Sequence, residues 1–570
     1  MFRISLCDRK YENYKIVDNK TGETYFKDFI DPVKNKLLNF DTFDTYYDNK
    51  NVKRIIIKNS PARNTSIAGV LLIKENKTYG KYKKGFLYKF VPDDCRLPIF
   101  LVAYSPKIGF IKNMKNRYVV IYFKNWDDKH PIGAIDQNIG EVGDLPSFYQ
   151  YQLYCRSLNS SIQDFKKAAL EKVKQAPEDE IVENMIRKYN VLDRRSERVI
   201  TVDPSTTRDF DDGLSYTVID DETARLSIYI ANVPIWMDYL SLWGSFSKRI
   251  ATIYLPDRKL PMLPTILSDI LCSLQKKCSR FSLGLDILVN SETGEILKTE
   301  YKNVVVNVLK NLHYDSKEQI SDSTYKNVSA LVEKMNKKRK YMRKIKSSHN
   351  VIAYLMIFMN HLSAKMLSQN KTGIYRSMAM SKTTSFDMIE NDEIKNFLDN
   401  WHSSGGNYNK YENLQQHEAL NLDKYLHTTS PIRRLVDLLN IYNIQKTLKI
   451  TEFTDEAENF YNIWTSDDRI SFINETMRSI RKVQSECYLL NRCNEEPELL
   501  ENIHTGFIFD KMKRTDLMFQ YQVYLPDIKI VKKLISVTEM EVNTLNKFKL
   551  YLFMDDDRFY NKIRLMEVSS

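Results

Sequence analysis

Residues 199–218 read VITVDPSTTRDFDDGLSYTV, and four carboxylates, Asp203, Asp209, Asp211 and Asp212, fall within ten of them. The β-branched run before the acids and the segment after them predict two strands joined by an acidic loop. Carboxylates packed this closely raise one another's pKa values unless a cation lies among them. Hard oxygen ligands at short spacing suit Mg²⁺ or Mn²⁺. The stretch therefore predicts a metal site of the kind that activates water and stabilises a phosphodiester under attack.

Two other interpretations of the acidic loop compete with a catalytic metal site. Acidic clusters are most often solvated turns that bind nothing. A calcium loop of the EF-hand type needs an acid at its fifth position, Gly at its sixth and Glu at its twelfth. Counted from Asp209, the fifth position is Gly213 and the twelfth is Asp220, so the calcium pattern fails.

The overall composition is that of a globular chain with a polyanionic partner. The chain has 570 residues, of which 43% are hydrophobic and 28% are charged, and it is long enough for several domains. Its net charge of +12 favours nucleic acid or a membrane surface as the partner. Aromatic residues make up 12% of the chain, which suits base stacking and equally suits ordinary cores.

Targeting and redox features predict a cytoplasmic or nuclear protein with no membrane attachment. The seven cysteines form no CxxC pair, which argues for a reducing compartment without a disulfide frame or a structural zinc. The first residues lack an apolar core of signal-peptide length. The longest apolar run, residues 351–359, is too short to span a bilayer.

Two further stretches carry chemistry. Residues 254–274 read YLPDRKLPMLPTILSDILCSL, where three prolines in nine positions predict a rigid loop. Residues 425–438 read YLHTTSPIRRLVDL, where Ser430 and the proline after it predict a turn before a helix that carries Arg433 and Arg434. A guanidinium binds phosphate bidentately and a helix N-terminus attracts anions, so this turn predicts a phosphate site. The alternative is a capping turn with surface arginines.

A basic segment, residues 334–346, reads KMNKKRKYMRKIK. It predicts a solvated basic helix rather than a dedicated nucleic-acid track, because runs of like charge usually face solvent.

Taken together, the acidic loop and the two motifs resemble the signatures of the RNB family, the exoribonucleases of the ribonuclease II and ribonuclease R group and their exosome-associated relatives. All four acids of the family's acidic pattern are present. Residues 254–274 are similar to the family's YLP…PMLPxxLSxxLCSL segment, and residues 425–438 are similar to its YxHFTSPIRRYxDL segment. Departures from the family's patterns stand at Thr207, Gly213, Tyr229, Asn232, Thr428 and Leu435.

The resemblance implies a multidomain α+β fold, in which an RNB catalytic domain of mixed sheet and surrounding helices is flanked by small OB-type β-barrels. Such barrels bind single strands through a basic, aromatic face or serve as scaffolds. The predicted segments are residues 1–60 as an N-terminal extension or part of a first OB barrel, 61–146 as a cold-shock-like OB barrel, 147–193 as a helical connector, 194–495 as the RNB catalytic domain, and 500–570 as a C-terminal RNA-binding OB barrel.

The resemblance also implies an activity: hydrolysis of single-stranded RNA from its 3′ end to 5′ nucleoside monophosphates, by a monomer with Mg²⁺ or Mn²⁺ as cofactor. The metal ligands it implies are Asp203, Asp209, Asp211 and Asp212. Of these, Asp203 and Asp212 would be the main metal ligands with help from Asp209, and Asp211 would position or deprotonate the attacking water. Arg433 would clamp the phosphate, so the catalytic residues that the resemblance implies are Asp209, Asp211 and Arg433. The RNA-binding residues it implies are Tyr254, Tyr314, Ser430, Arg433 and Arg434. The alternative is an RNA-binding scaffold with an inactive RNB domain.

Overall fold

The chain forms two compact units. One comprises Met1–Asn159, Leu255–Asp257 and Arg481–Ser570, and the other comprises Ser160–Tyr254 and Arg258–Ile480. The predicted segment 194–495 is therefore divided between them. The computed structural model describes residues 1–26, 30–47, 53–82, 85–105, 114–378, 391, 393–394, 397–398, 406–514 and 516–568.

The first unit begins with a five-stranded antiparallel sheet. Its strands are β1 (Phe2–Leu6), β2 (Tyr14–Asp18), β3 (Thr24–Tyr25), β4 (Thr42–Tyr47) and β5 (Lys53–Asn59), in the order β3-β2-β1-β4-β5. Alternating apolar residues such as Ile4, Leu6 and Ile16 are fully buried, so one face of this sheet packs on a core.

A short helix, α1 (Pro61–Asn64), leads to a second set of strands in the same unit. These strands are β6 (Ile67–Leu71), β7 (Lys81–Tyr82), β8 (Gly85–Pro92), β9 (Phe100–Tyr104), β10 (Arg117–Asn125) and β11 (Ile132–Glu141). They are ordered β6-β10-β11-β9-β8-β7, and β6 also pairs with β8, which closes five of them into a ring. Gly69 permits this closure, because a Cβ there would collide with the Val91 carbonyl oxygen.

The C-terminal part of the first unit is another five-stranded antiparallel sheet. Its strands are β21 (Ile503–Lys513), β22 (Phe519–Leu525), β23 (Ile530–Ser536), β24 (Leu545–Asp555) and β25 (Tyr560–Glu567). Their order, β23-β22-β21-β24-β25, repeats that of the first five strands of the chain.

Three helices occupy the predicted connector: α2 (Leu145–Cys155), α3 (Gln163–Val173) and α4 (Glu178–Lys188). The second unit is then built on a closed barrel of five strands, β12 (Leu192–Asp203), β13 (Asp212–Val218), β14 (Thr223–Ala231), β17 (Ser279–Asn290) and β18 (Ile296–His313). Strands β12 and β18 are parallel, and the other neighbours are antiparallel, so the sheet is mixed.

Between β14 and β17 the chain forms α5 (Val233–Tyr239), the small hairpin β15 (Ile253–Tyr254) and β16 (Lys259–Leu260), and a π-helical turn at Ile266–Leu271. After the barrel come α6 (Lys317–Ser321), α7 (Ser323–Lys338), α8 (Ser348–Gln369), β19 (Ile374–Ser377), β20 (Asn407–Lys410), α9 (Leu435–Thr447), α10 (Asp455–Trp464), α11 (Asp467–Glu495) and α12 (Glu498–Glu501). A closed mixed barrel with surrounding helices, a small closed ring of strands and two five-stranded sheets in one chain confirm the predicted fold class.

Three sequence-based expectations need correction. The helix after Ser430 begins at Leu435, so Arg433 and Arg434 precede it instead of lying in it. The apolar run at residues 351–359 belongs to α8, which has 22 residues and so is long and apolar enough to cross a membrane. However, 67% of the most apolar 18-residue stretch of this helix is buried inside the protein, in the core with barrel strands. The helix therefore packs as a core helix. The basic segment 334–346 is not one helix, because α7 ends at Lys338.

Candidate active site

Two neighbouring strands of the barrel end beside each other and carry the first predicted site residues. Strand β12 ends at Asp203 and runs parallel to β18, in a register that places Asp203 opposite His313. The next residue, Tyr314, donates its amide to the Asp203 carbonyl at 3.1 Å. Strand β13 is antiparallel to β12 and begins at Asp212. The barrel therefore brings both ends of the acidic loop and Tyr314 to one rim.

The acidic loop is fixed by the end of the proline-rich motif. Ser273 Oγ accepts a hydrogen bond from the Phe210 amide at 3.0 Å and donates one to the Arg208 carbonyl at 2.9 Å. The Leu274 amide donates to the Phe210 carbonyl at 3.0 Å. These bonds hold the loop that carries the acids, and they give the LCSL sequence a structural role.

The turn with sequence SPIRR reaches the centre of the acidic loop. Asp211 Oδ1 accepts from the Ile432 amide at 3.0 Å, and Asp211 Oδ2 accepts from Arg433 Nε at 3.1 Å. The Thr252 amide, just before the proline-rich motif, donates to the Arg433 carbonyl at 3.0 Å. Three motifs that are far apart in the sequence therefore meet at Asp211 and Arg433.

One cavity of about 960 Å³ contains all of the predicted site residues. Those residues are Asp203, Asp209, Asp211, Asp212, Tyr254, Tyr314, Ser430, Arg433 and Arg434. Helix α8 adds Ile352, Ala353, Met356 and Ile357 to the wall. The cavity thus combines a carboxylate cluster and arginines with an apolar side, which suits a ligand that has both phosphates and bases.

Burial raises the pKa values of these acids. Asp211 is only 4% exposed, and burial raises its pKa to about 7 although Arg433 and the Ile432 amide favour the charged form. Burial and the charge of a neighbouring aspartate hold the pKa values of Asp203 and Asp212 well above the usual range. The protein's own groups therefore do not fully compensate the negative charge of the four carboxylates, and an added cation would stabilise their charged form.

Two oxygens of the cluster have no protein partner. Oδ2 of Asp203 and Oδ2 of Asp209 are buried and accept no hydrogen bond. Both oxygens of Asp211, in contrast, already accept hydrogen bonds from the SPIRR turn. Within the described residues, no three His, Cys, Asp or Glu side chains are arranged to hold a metal ion. A pair of carboxylates nevertheless fits Mg²⁺, which commonly takes one or two and keeps several waters. Asp203 and Asp212, whose pKa values are both raised, are the candidates for such a pair.

Two of the predicted RNA-binding residues mainly hold the turn together. Ser430 is 2% exposed, and its hydroxyl accepts from Arg433 Nη2 at 2.8 Å. Arg434 donates from Nη2 to Asp437 at 2.8 Å, and the same carboxylate oxygen accepts the Ser430 amide at 2.8 Å. Arg433, by contrast, keeps 45% of its side chain exposed. Of the two arginines, Arg433 is the one placed to meet a phosphate.

The two predicted tyrosines present aromatic surface to the cavity. Tyr254, on β15, is 44% exposed, as a residue that stacks on a base must be. Tyr314 lies beside His349, with ring centroids 5.6 Å apart and an interplanar angle of 52°.

Several polar cavity residues were not singled out from the sequence, among them Lys259, His349 and His427. Lys259 Nζ lies 2.8 Å from Asp209 Oδ1 and 3.7 Å from Asp269 Oδ1, so it neutralises part of the cluster. Lys259 and His427 lie within the motifs at residues 254–274 and 425–438, so a charged or titratable residue inside a motif could have marked them as site candidates. His349 carried no such signal, since it reaches the cavity only through the packing of α8.

The departures at Tyr229 and Asn232 lie away from the cavity in the core. The Tyr229 hydroxyl is hydrogen-bonded to Ser215 at 2.9 Å and to Glu197 at 2.8 Å. Asn232 Nδ2 donates to Asn303 at 3.0 Å and to Gln445 at 3.2 Å. Both residues are satisfied buried polar groups, so these departures leave the cavity lining unchanged.

Comparison with known families identifies the second unit's barrel and helices. Residues 191–347 and 322–450 match the RNB domain, and residues 87–148 match the Dis3-like cold-shock domain 2. The chain therefore belongs to the proteins that carry an RNB domain. DIS3-like exonuclease 2 of Schizosaccharomyces pombe is 26% identical over 284 residues, 47% of this chain and 30% of that protein. Ribonuclease R of Mycoplasmopsis pulmonis is 32% identical over 186 residues, 32% of this chain and 24% of that protein.

Solved structures share the whole fold. RNase R of Mycoplasma genitalium, in complex with ribose methylated single-stranded RNA, superposes with a TM-score of 0.65 at 16% identity, over 99% of this chain and 100% of that chain. Yeast Ssd1, a pseudonuclease, superposes with a TM-score of 0.59 at 12% identity, over 94% of this chain and 78% of that chain. A protein named RNase R and a pseudonuclease are thus both similar in fold, so the fold does not decide the function and the site must be considered.

Proposed function

We propose that this chain is a hydrolytic exoribonuclease that removes nucleotides from the 3′ end of single-stranded RNA as 5′ monophosphates. The observation that carries the proposal is the convergence of four carboxylates, Arg433 and two tyrosines in one cavity of about 960 Å³. A relative named ribonuclease R and another named DIS3-like exonuclease 2 support the reaction class.

The cofactor in this proposal is Mg²⁺ or Mn²⁺, held by Asp203 and Asp212. When bound, such an ion lowers the pKa of a water and neutralises charge on the phosphate oxygens. The buried, unpartnered Oδ2 of Asp203 and the raised pKa values of both acids support this assignment. Asp209, already paired with Lys259, would contribute charge at the edge of the site.

Asp211 and Arg433 would share the chemical step. Asp211 would orient the attacking water and accept its proton, and Arg433 and the bound cation would both favour the charged form that this role needs. Arg433 would bind a non-bridging phosphate oxygen and stabilise the charge that develops there. Ser430 fixes the guanidinium through the bond to Nη2, so Arg433 is positioned before the RNA arrives. The apolar side of α8 and the tyrosines would hold the terminal bases.

An assay of the pure chain with RNA tests the proposal. We expect a 20-nucleotide oligoribonucleotide with a 5′ label to shorten stepwise from its 3′ end in Mg²⁺, with release of 5′ monophosphates. A circular copy of the same RNA and a matched DNA should remain intact, because the first has no 3′ end and the second lacks the 2′-hydroxyl. Tight RNA binding without shortening would instead support the second candidate, an RNA-binding scaffold. The similarity to Ssd1 keeps that candidate open, whereas the retained acids argue against it.

Without a divalent cation, the folded protein should lose thermal stability as the pH rises from about 6.5 to about 8. This range lies above the one in which the buried histidines with lowered pKa values, His361, His417 and His427, change the stability. Unfolded aspartate has a pKa of about 3.9, whereas the pKa of Asp211 in the folded protein is about 7. Because these acids keep their protons longer in the folded state, their contribution to stability is greatest at low pH and is lost as the pH rises through the folded pKa values. Added Mg²⁺ should raise the melting temperature at the upper end of this range. Differential scanning fluorimetry in EDTA and in Mg²⁺ measures both effects.

The matched variants are Asp212→Asn and Asp221→Asn. Asp221 is an exposed carboxylate outside the cavity. We expect Asp212→Asn to flatten the pH dependence and to remove the Mg²⁺ effect, and Asp221→Asn to leave both unchanged. A melting temperature that Mg²⁺ does not raise in the wild-type protein would contradict the metal assignment, whatever the activity.

Tyr254→Ala should change the length of the limit product. Stacking of a base on an aromatic ring is worth roughly 1–3 kcal/mol, so loss of the ring weakens the hold on the last nucleotides and shifts the point of release. Tyr254→Phe keeps the ring and should keep the product length. Gel sizing of the end products decides this, and an unchanged limit product in Tyr254→Ala would show that the ring does not stack on RNA.

A further inference from the structure

A second cavity of the same unit lies apart from the catalytic one and is lined by basic residues. It has a volume of about 260 Å³, and its wall includes Arg339, Lys340, Tyr341, His361 and Lys365. The first three belong to the basic segment 334–346, which has no part in the proposed catalysis. The structure thus gathers cations of a loop and of α8 around one concave site.

The loop that carries Arg339 and Lys340 is held in place. Asn336 Nδ2 donates to the Met342 carbonyl at 2.9 Å, and the Met342 amide donates to Asn336 Oδ1 at 3.2 Å. Tyr341 packs against Tyr354, with ring centroids 5.4 Å apart. Because these contacts fix the backbone after α7, little ordering is needed when a ligand binds.

His361 lines this site and has a buried nitrogen that makes no hydrogen bond with the described part of the chain. It is 8% exposed, and its Nε2 is buried without a hydrogen-bond partner. Its Nδ1 lies 2.6 Å from the Tyr341 hydroxyl. Burial lowers the pKa of His361 to about 4, so the ring is neutral near pH 7. In the tautomer in which the tyrosine hydroxyl donates to Nδ1, the ring proton is on Nε2, which is then a buried donor that needs an acceptor.

The acid near this donor does not complete the site. Asp423 Oδ1 lies 3.7 Å from His361 Nε2, which is too long for a hydrogen bond, and the Asp423 side chain is 58% exposed. Among the described residues, three cations line the cavity, Arg339, Lys340 and Lys365, and they outweigh the Asp423 carboxylate. The balance favours a small anion with several acceptor oxygens.

We propose that this cavity is a phosphate-binding site, separate from the catalytic cavity. A phosphate group offers the negative charge that the three cations attract and an acceptor oxygen for His361 Nε2. The group would come either from the backbone of an RNA strand bound to the protein or from a free phosphate monoester such as a mononucleotide. The proposal does not depend on catalysis, because binding can be measured in EDTA with no RNA cleaved.

Two charge-reversal variants test the site. Lys340→Glu with Lys365→Glu changes two lining residues, whereas Lys337→Glu with Lys338→Glu makes the same change in net charge on the last turn of α7, outside the cavity. Calorimetric titration of inorganic phosphate at low salt should show at least tenfold weaker binding at one site in the first variant than in the second, about 1.4 kcal/mol. The catalytic cavity remains intact in both, so any phosphate bound near Arg433 gives the same signal in each.

A second titration, with a 20-nucleotide RNA in EDTA, distinguishes the two sources. If RNA affinity also falls selectively in Lys340→Glu with Lys365→Glu, the occupant is the RNA backbone. If only phosphate affinity falls, the occupant is a free phosphate monoester. Equal affinities of the two variants for both ligands would overturn the proposal, whether the RNA is cleaved in Mg²⁺ or not.

Discussion

Asp211→Asn is expected to lower the rate of RNA cleavage at least 100-fold, about 2.7 kcal/mol of activation free energy, while RNA affinity stays within about threefold. Asparagine can still accept the Ile432 amide through its carbonyl oxygen, which keeps the turn in place. It cannot accept a proton from water, and its amide group would face Arg433 Nε, donor against donor. Single-turnover cleavage and filter binding measure the two quantities on the same RNA.

Asp221→Asn is the matched control, since it removes an exposed carboxylate outside the cavity and should leave both quantities unchanged. Turnover by Asp211→Asn within tenfold of the wild-type rate would contradict the role of Asp211 in water activation. A large loss of RNA affinity in this variant would instead indicate that Asp211 holds the shape of the cavity rather than acting in the chemical step.

The acidic loop could be predicted from local sequence because its two strands carry their own signal. The β-branched run at residues 199–202 and the segment from Leu214 to Val218 form β12 and β13 as expected. Strand propensity and the clustering of acids both involve only a few neighbouring residues, so both can be recognised in the sequence without knowledge of the fold. The family match then confirms the RNB resemblance and the fold class.

The contacts between the motifs could not be predicted in the same way. The Asp211–Arg433 pair joins residues 222 positions apart, and its distance depends on how α9 packs on the barrel. The pairing of Lys259 with Asp209 likewise depends on the β15–β16 hairpin. Long-range packing of this kind leaves no periodic signal in one sequence, whereas resemblance to a family supplied the candidates without their distances.

Two sequence-based predictions, for residues 351–359 and 334–346, are wrong for the same physical reason. Residues 351–359 alone are too few to span a bilayer. The helix that contains them nevertheless continues to Gln369, because less apolar residues such as His361 and Ser363 are buried in the core together with them. In residues 334–346, the helix ends at Lys338 because Asn336 binds the backbone of Met342 and turns the chain. In both cases a tertiary contact overrides the local pattern.

Arg433→Gln is expected to lower cleavage about 100- to 1,000-fold, the usual effect of removing a donor that stabilises a developing oxyanion. The guanidinium binds Asp211 through Nε and Ser430 through Nη2, so it links the proposed base to the phosphate. Glutamine has no positive charge and cannot make both contacts, and it leaves the buried carboxylate of Asp211 without its cation. Because Arg433 lowers the pKa of Asp211, that pKa should then rise, so the acidic limb of the pH–rate profile should move to higher pH.

Because Asp211 and Arg433 contact each other, their losses should not add. When two residues act as one unit, the double variant cleaves RNA only slightly more slowly than the slower of the two single variants. We therefore expect Asp211→Asn with Arg433→Gln to cleave RNA within about tenfold of the slower single variant, far from the product of the two losses. Arg434→Gln combined with Asp211→Asn is the comparison, since Arg434 pairs with Asp437 instead. If the rate losses of Asp211→Asn and Arg433→Gln multiply in full in the double variant, the two side chains act independently. The ion pair between them then does not contribute to catalysis as a unit.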